Sequence, residues 1–258
     1  MKDRDICAVC GRPLRRGEPR TEIVGWAARM LCVAGGVAHY SCLSRAVNEK
    51  SYKMGQLPWN IQRPHPALVN AVESGILQPG TVFIPGPGLG DNALYLAEHG
   101  FDVTAVDISE TAVTLLRRRA EKKRLNIEVL VGEVIFGLET MRERFDYVIE
   151  RSFLQTIPAG LRTQYFRTVA RLLKTRGQYV GIVRGPRDPP PTSQPYAFSE
   201  DDIRQLLAER FHIIEIRPTI SGHDDTELDF WFIRAHLKPI WESHWGRRNG
   251  TVQTRTET

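Results

Sequence analysis

Residues 84–91 read IPGPGLGD, and this glycine-rich stretch decides the fold. It follows a short apolar run at residues 81–84 and precedes a helical pattern that begins at Asp91. Glycines at alternating positions let the backbone turn tightly and approach a ligand closely, and the following helix points its N-terminus at that ligand. Taken alone, the stretch is equally compatible with a tight structural turn, so its meaning depends on what surrounds it.

Short apolar runs alternate with helical patterns on both sides of this loop. We predict strands at residues 81–84, 103–106, 127–131, 147–149, 179–183, 213–216 and 228–237. We predict helices around residues 68–76, from Ser109 onward, over 161–173 and over 203–207. Only about ten residues separate the last two strands, too few for a parallel crossover. The pattern therefore predicts an α/β fold with a Rossmann-like, doubly wound, mostly parallel sheet and an antiparallel last strand.

The surroundings of the loop point to a nucleoside ligand. Asp107 lies seventeen residues after Gly90, at the end of the second strand, where a carboxylate can accept hydrogen bonds from ribose hydroxyls. A dinucleotide fingerprint places its third glycine one residue later, where this chain has Asp91. The spacing favours S-adenosylmethionine (SAM) over NAD(P). The expected SAM contacts here are Pro85, Gly86, Gly88, Gly90, Asp107 and Ile108.

Two further strand ends carry acidic residues. Glu133 and Val134 follow the third strand, where an acidic side chain can hold an adenine amino group, although a surface acid reads the same way. Glu150 and Arg151 follow the fourth strand, beside the expected position of the reactive methyl group. Ligands of open α/β sheets bind at the carboxyl ends of the strands. We therefore predict that Glu133, Val134 and Glu150 contact the cofactor.

These residues resemble the thiopurine/thiol/halide methyltransferase superfamily. The similar pieces are Pro58-Trp59, the glycine loop, residues 100–110 (GFDVTAVDISE) and residues 145–157 (FDYVIERSFLQTI). The resemblance implies a SAM-dependent methyltransferase acting on a small nucleophile such as a thiol, halide or chalcogen anion. It implies that Trp59 helps close the site over SAM and that Arg151 faces the acceptor. An ion pair that only orders the loop is the simpler interpretation of Arg151.

Residues 1–48 form a predicted zinc-binding module. Cys7 and Cys10 make one ligand pair, and His39 and Cys42 make a second pair after 28 intervening residues. Four such ligands make a closed tetrahedral Zn²⁺ site, which is structural rather than catalytic. The remaining Cys32 is expected to be a buried small hydrophobe, with replacement of His39 as the alternative. We predict a helix over residues 41–47, a connector over 49–60, a methyltransferase domain over 49–240 and a tail over 241–258.

The charge distribution and the composition limit the possible substrates and the expected location of the protein. The net charge of +5 comes from the ends, because residues 1–50 hold nine Lys/Arg against five Asp/Glu and residues 234–258 hold five against two. The near-neutral body favours a small-molecule acceptor over RNA or protein, the alternative in which the basic module grips a macromolecule. A non-enzymatic SAM-binding module is the third interpretation. With no apolar stretch long enough for a span and no signal region, we expect a cytoplasmic protein without a membrane partner.

The sequence does not decide the function of one more motif. The segment His223-Asp224-Asp225 precedes the last strand and could supply a general base. A polar turn is the commoner meaning of such a segment.

Overall fold

The computed structural model describes residues 6–14, 18–22, 27, 31, 37–186, 195–220 and 229–239. The motif 223–225, Cys32 and the predicted tail 241–258 lie outside these residues.

Nine strands and six α-helices are named here. The strands are β1 (Arg20–Glu22), β2 (Val37–His39), β3 (Thr81–Pro85), β4 (Asp102–Asp107), β5 (Ile127–Val131), β6 (Phe145–Arg151), β7 (Leu173–Arg184), β8 (Phe211–Thr219) and β9 (Phe230–Leu237). The helices are α1 (Tyr40–Met54), α2 (Pro66–Glu73), α3 (Asp91–Glu98), α4 (Glu110–Lys123), α5 (Ala159–Leu172) and α6 (Glu200–Ala208), with a 3-10 turn at Leu154–Thr156.

Seven strands form the central sheet in the order β5-β4-β3-β6-β7-β9-β8. The pairs β5–β4, β4–β3, β3–β6 and β6–β7 are parallel, and β9 runs antiparallel to both β7 and β8. The predicted fold class and the antiparallel last strand are confirmed. Strand order reverses at β3 and β6, and such a switch point opens a crevice at the carboxyl ends of the strands.

Apolar side chains alternate across the sheet and build one core on each face. Phe83 of β3 packs with Tyr165 and Tyr179 on one face, whereas Val82 and Ile84 pack with Leu116 on the other. Period-two alternation with both faces covered is what a parallel sheet between two helix layers requires. The rigid sheet therefore holds its strand ends in fixed positions.

The helix start predicted at Ser109 is also confirmed, whereas α6 begins three residues before the predicted residue 203. Ser109 Oγ accepts a hydrogen bond from the Ala112 backbone N–H at 3.1 Å, and Ser199 forms a capping box with Asp202 at the start of α6. Both serines satisfy backbone donors that an uncapped helix leaves open. No helix within the described part of the chain is long and apolar enough to cross a bilayer.

Two predicted boundaries are wrong. Helix α2 ends at Glu73, and Ile76 lies outside it with 38% of its surface exposed, because Gly75 adopts a φ of +74° that a helix cannot continue. The predicted connector 49–60 is helical as far as Met54, since α1 runs on through Ser51 and Tyr52, which are both buried. A single helix therefore crosses the domain boundary predicted at residue 48.

Candidate functional site

A cavity of about 640 Å³ opens at the carboxyl ends of β3, β4 and β6. Most of the residues predicted to bind SAM or the acceptor line it. They are Trp59, Pro85, Gly86, Gly88, Asp107, Ile108, Glu133, Val134 and Arg151. Gly90 and Glu150 are not among the lining residues.

Two positions of the glycine loop require glycine, because a side chain at either one would collide with a neighbouring residue. Gly86 has φ +55°, and a Cβ there would lie 2.6 Å from the Phe153 ring. Gly90 has φ +83°, and a Cβ there would lie 2.1 Å from Leu116 Cδ1. Larger residues are excluded at both positions by backbone strain and by lack of space. Gly90 therefore serves the packing of α4 against the loop rather than a direct contact with ligand.

Asp107, the last residue of β4, lies in the cavity wall. Its Oδ1 accepts a hydrogen bond from the Ser109 N–H at 2.9 Å, and its carboxylate also accepts from the N–H groups of Gly88 and Ile108. Burial raises the pKa of Asp107 to about 6 in spite of these bonds, because the ionised form loses its hydration. A carboxylate with lone pairs facing a cavity can accept from ligand hydroxyls.

Glu133 makes bonds that the sequence did not indicate. Its Oε1 accepts from the Ile135 N–H at 2.9 Å and its Oε2 from the Phe136 N–H at 2.6 Å. Burial raises the pKa of Glu133, opposed by these two bonds. The side chain thus shapes the turn after β5, and any adenine contact has to share its carboxylate with that turn.

Glu150 corrects a sequence-based expectation. Its side chain is 1% exposed, lies off the cavity and accepts hydrogen bonds from Phe153 N–H at 2.8 Å and Tyr179 Oη–H at 2.9 Å. Burial raises the pKa of Glu150 to about 7. Because these bonds hold the turn after β6, Ser152 adopts a φ of +63°. These bonds hold Phe153 in the cavity wall, and the Glu150 side chain itself lies off the cavity.

Arg151 follows Glu150 as the last residue of β6, and its side chain lines the cavity. Its Nη1 donates a hydrogen bond to the Trp59 carbonyl oxygen at 2.7 Å. Burial lowers its pKa to about 10, countered by the charges of Asp91 and Glu150, so the guanidinium stays charged at neutral pH. Sequence reasoning placed Trp59 and Arg151 at the same site, and the structure brings them into contact.

Sequence reasoning missed an entire wall of the cavity. Helix α1 contributes six lining residues, which are Tyr40, Leu43, Ser44, Val47, Asn48 and Tyr52, and strand β1 adds Thr21. The six helical positions follow the pattern i, i+3, i+4, i+7, i+8 and i+12, so they share one face of the helix. This periodicity is the signal in the sequence, and the helix predicted over residues 41–47 covers only part of it.

A second site lies at the start of α1. Ligand atoms of Cys7, Cys10, His39 and Cys42 all lie within 4.8 Å of one another. His39 Nδ1 is 3.6 Å from Cys10 Sγ and 3.7 Å from Cys42 Sγ. A tetrahedral zinc ion with ordinary bond lengths separates its sulfur and nitrogen ligands by about 3.6 Å. The donor set and its spacing therefore fit Zn²⁺.

The surroundings of this cluster also suit a metal. His39 Nε2 lies 3.1 Å from Glu18 Oε2, so the carboxylate can accept the proton of Nε2 and turn Nδ1 toward the sulfurs. The Gly11 N–H donates to the Cys7 carbonyl oxygen at 2.8 Å, which closes the tight turn between the first two cysteines. Hydrogen bonds from the backbone and side chain of Arg12 lower the pKa of Cys10 to about 6, which favours the thiolate form that metals bind.

The fold, the glycine loop and the nucleoside-sized crevice define a SAM-dependent methyltransferase. A family model described as thiopurine S-methyltransferase matches residues 45–227. The chain belongs to the thiopurine S-methyltransferase family and is a SAM-dependent enzyme of small-molecule methylation. The match begins inside α1, so the cysteine and histidine cluster lies before it.

Individual relatives agree with this assignment. The chain is 29% identical over 164 residues to a probable thiol methyltransferase 2 of Arabidopsis thaliana, covering 62% of this chain and 70% of the relative. It is 28% identical over 163 residues to the 2-heptyl-1-hydroxyquinolin-4(1H)-one methyltransferase of Mycobacteroides abscessus, covering 62% and 71%. A solved Burkholderia thailandensis 1,6-didemethyltoxoflavin-N1-methyltransferase shares the fold with a TM-score of 0.61 at 21% identity, covering 73% of this chain and 84% of that one.

Proposed function

We propose that this enzyme transfers the methyl group of SAM to an anionic sulfur, or a comparable soft nucleophile, of a small molecule. The observation that carries the proposal is the placement of Asp107 and Arg151 in one cavity, at the ends of β4 and β6, the two strands that flank β3. When bound, SAM supplies a methyl group that its sulfonium already activates. Gly86, Gly88, Asp107, Ile108, Glu133 and Val134 would hold it.

The chemistry of the cavity favours an acceptor that is ionised before it binds. Among the described residues that line it, none is a histidine, lysine or cysteine, whereas Arg63, Arg151 and Arg184 are all present. A thiolate needs no strong base, and a guanidinium beside it favours the anionic form. Trp59 and Phe153 add aromatic rings to the walls of the same cavity. These features fit the thiol methyltransferase named among the relatives.

Zinc has a structural part in this proposal. Cys7, Cys10, His39 and Cys42 would fill all four positions of the ion, which leaves none for a substrate. The small core under the cluster contains Leu14, Ala38, Leu43 and Val47. A core of this size is too small to stabilise the module alone, and a closed metal site would supply additional stabilisation.

A panel of acceptors tests the reaction. Purified enzyme with SAM is offered thiols of graded pKa, thiocyanate, iodide and selenium or tellurium anions, with matched alcohols and amines as controls, and product is measured by mass spectrometry. We expect methylation of soft nucleophiles, fastest for thiols that are ionised at the assay pH. Methylation confined to the alcohols or amines of the panel would contradict the proposal.

A further inference from the structure

Helix α1 connects the metal-ligand cluster directly to the methyl-transfer cavity. His39 is its N-cap residue and Cys42 lies in its first turn. Further along the same helix, Val47, Asn48 and Tyr52 line the cavity. A helix of fifteen residues is rigid over its length of about 22 Å. A change in the orientation of the first turn therefore moves the last turns of the helix.

The far half of α1 is tied to the cofactor half of the cavity through Glu49. The Glu49 carboxylate accepts hydrogen bonds from Ser109 Oγ at 2.7 Å, Thr111 Oγ1 at 2.5 Å and the Thr111 N–H at 3.3 Å. Ser109 in turn donates its N–H to Asp107 Oδ1. Burial opposes ionisation of Glu49, yet the bonds from Thr111 and Ser109 hold its pKa at about 2. An ionised carboxylate thus joins α1 to the N-terminus of α4.

Tyr52 makes a second connection at the end of α1. Its ring packs edge-on against Trp59 with 5.9 Å between centroids. A Cβ built on Gly88 would lie 3.4 Å from Tyr52 Oη, so the tyrosine covers the glycine loop closely. Both Tyr52 and Glu49 thus contact the segments that are proposed to surround the nucleoside.

We infer that metal binding at Cys7, Cys10, His39 and Cys42 and nucleoside binding in the cavity are thermodynamically linked through α1, with Glu49 as the positioning residue. The inference rests on the proposed function, because it takes SAM as the ligand of the cavity. A metal-free cluster leaves the first turn of α1 without its anchor, and the wall that α1 forms is held less firmly. Linkage is reciprocal, so each ligand raises the affinity for the other by the same factor.

The test measures both directions on the full chain. Calorimetry gives the Kd of S-adenosylhomocysteine for zinc-loaded and zinc-free protein, and competition with a coloured chelator gives the zinc affinity with and without saturating S-adenosylhomocysteine. We expect both affinities to rise by a common factor of about five- to tenfold in the presence of the other ligand. Circular dichroism checks that the zinc-free protein stays folded.

The variant Glu49→Gln separates the linkage from simple stability. It leaves all four ligands intact, so we expect normal zinc affinity in the absence of nucleoside, a weaker affinity for S-adenosylhomocysteine and a linkage factor below about twofold. Glu110→Gln is the matched control, because Glu110 is an exposed carboxylate in the first turn of α4. If complete zinc removal unfolds the chain, the affinities of the zinc-loaded Glu49→Gln and Glu110→Gln variants for S-adenosylhomocysteine still test the role of Glu49.

The outcomes are distinguishable. Failure of zinc-loaded protein to bind S-adenosylhomocysteine would overturn the proposed function itself. Binding of both ligands with affinities independent of each other within twofold would overturn only the linkage. A full linkage factor in Glu49→Gln would overturn the role of Glu49.

Discussion

The guanidinium of Arg151 and the backbone carbonyl of Trp59 are hydrogen-bonded, with 2.7 Å between Nη1 and the oxygen. The two residues are 92 positions apart in the chain. This bond fixes the segment that carries Trp59 against the end of β6, so one side chain both holds a wall of the cavity and places a positive charge inside it.

The first prediction concerns the role of Arg151 in turnover. Arg151→Ala should lower kcat at saturating SAM by about 30-fold or more, the size expected for a lost charged contact in a water-poor site. The Kd of S-adenosylhomocysteine should change by less than about threefold, because the cofactor residues are on other strands. Arg151→Lys should restore turnover only in part, since one ammonium cannot reproduce the planar fork of a guanidinium.

Steady-state kinetics and calorimetry check this prediction. Arg118→Ala, at an exposed position on α4, is the control for loss of an arginine. A collapse of cofactor affinity with normal turnover at saturating SAM would assign Arg151 to the cofactor instead of the acceptor.

The second prediction is a pH dependence of cofactor binding. Burial places the pKa of Asp107 at about 6 in the free enzyme, and ribose hydroxyls donate to the ionised form. Binding therefore favours the deprotonated carboxylate. Affinity for S-adenosylhomocysteine should be constant above about pH 7 and fall by up to about tenfold per pH unit below pH 6.

Calorimetry between pH 5 and pH 8 measures this dependence. Asp107→Asn should weaken binding at pH 7.5 by about 1–3 kcal/mol and flatten the profile. Asp102→Asn, at the exposed start of β4, should leave the profile unchanged. A wild-type affinity that does not vary with pH would show that Asp107 is not the titrating contact.

The third prediction is the metal content of the chain. The purified protein should carry one zinc ion per chain by elemental analysis, because the four ligand atoms already lie at the separations of a tetrahedral site. Cys7→Ser and Cys42→Ser should lose it. Cys32→Ser should keep it, which also decides between His39 and Cys32 as the fourth ligand. Metal-free protein with a stoichiometric disulfide by thiol titration would refute the site.

The fourth prediction concerns the glycine loop. Gly90→Ala should lower the free energy of unfolding by about 2–4 kcal/mol, since it combines a positive φ with a collision against Leu116. Gly55→Ala has a similar φ of +65° but no atom within 4 Å, so it should cost only about 1 kcal/mol. Denaturant unfolding of both variants measures the difference. Equal costs would mean that the packing of Leu116 relaxes freely.

Much of the site could be predicted because it follows from short-range pattern. The glycine loop, the carboxylate after β4 and the Arg after β6 each occur at a strand end, and strand ends of a parallel sheet meet at one edge. The four metal ligands were found from pair spacing alone, since each pair closes a tight turn within a few residues. Within the described residues, most of the residues predicted to bind SAM or the acceptor line one cavity, and the four predicted metal ligands form one cluster.

The roles of Glu150 and of helix α1 could not be predicted from the sequence. Their sequence patterns are local, but their roles depend on partners far away in the chain: Tyr179 for Glu150, and Ser109 and Thr111 for Glu49. A carboxylate at a strand end is oriented toward a ligand or into the core by side-chain packing, which the position in the sequence does not encode.

The sequence by itself determined the order of strands and helices and predicted the cofactor loop and the metal-ligand set, because each rests on periodicity, glycine conformation or ligand spacing within a short stretch. Only the tertiary structure decided that the N-terminal module shares a helix with the methyl-transfer cavity, and that Glu150 is buried while Arg151 beside it faces the cavity. These outcomes depend on which surfaces pack together, and packing is settled by contacts between segments that are distant in the chain.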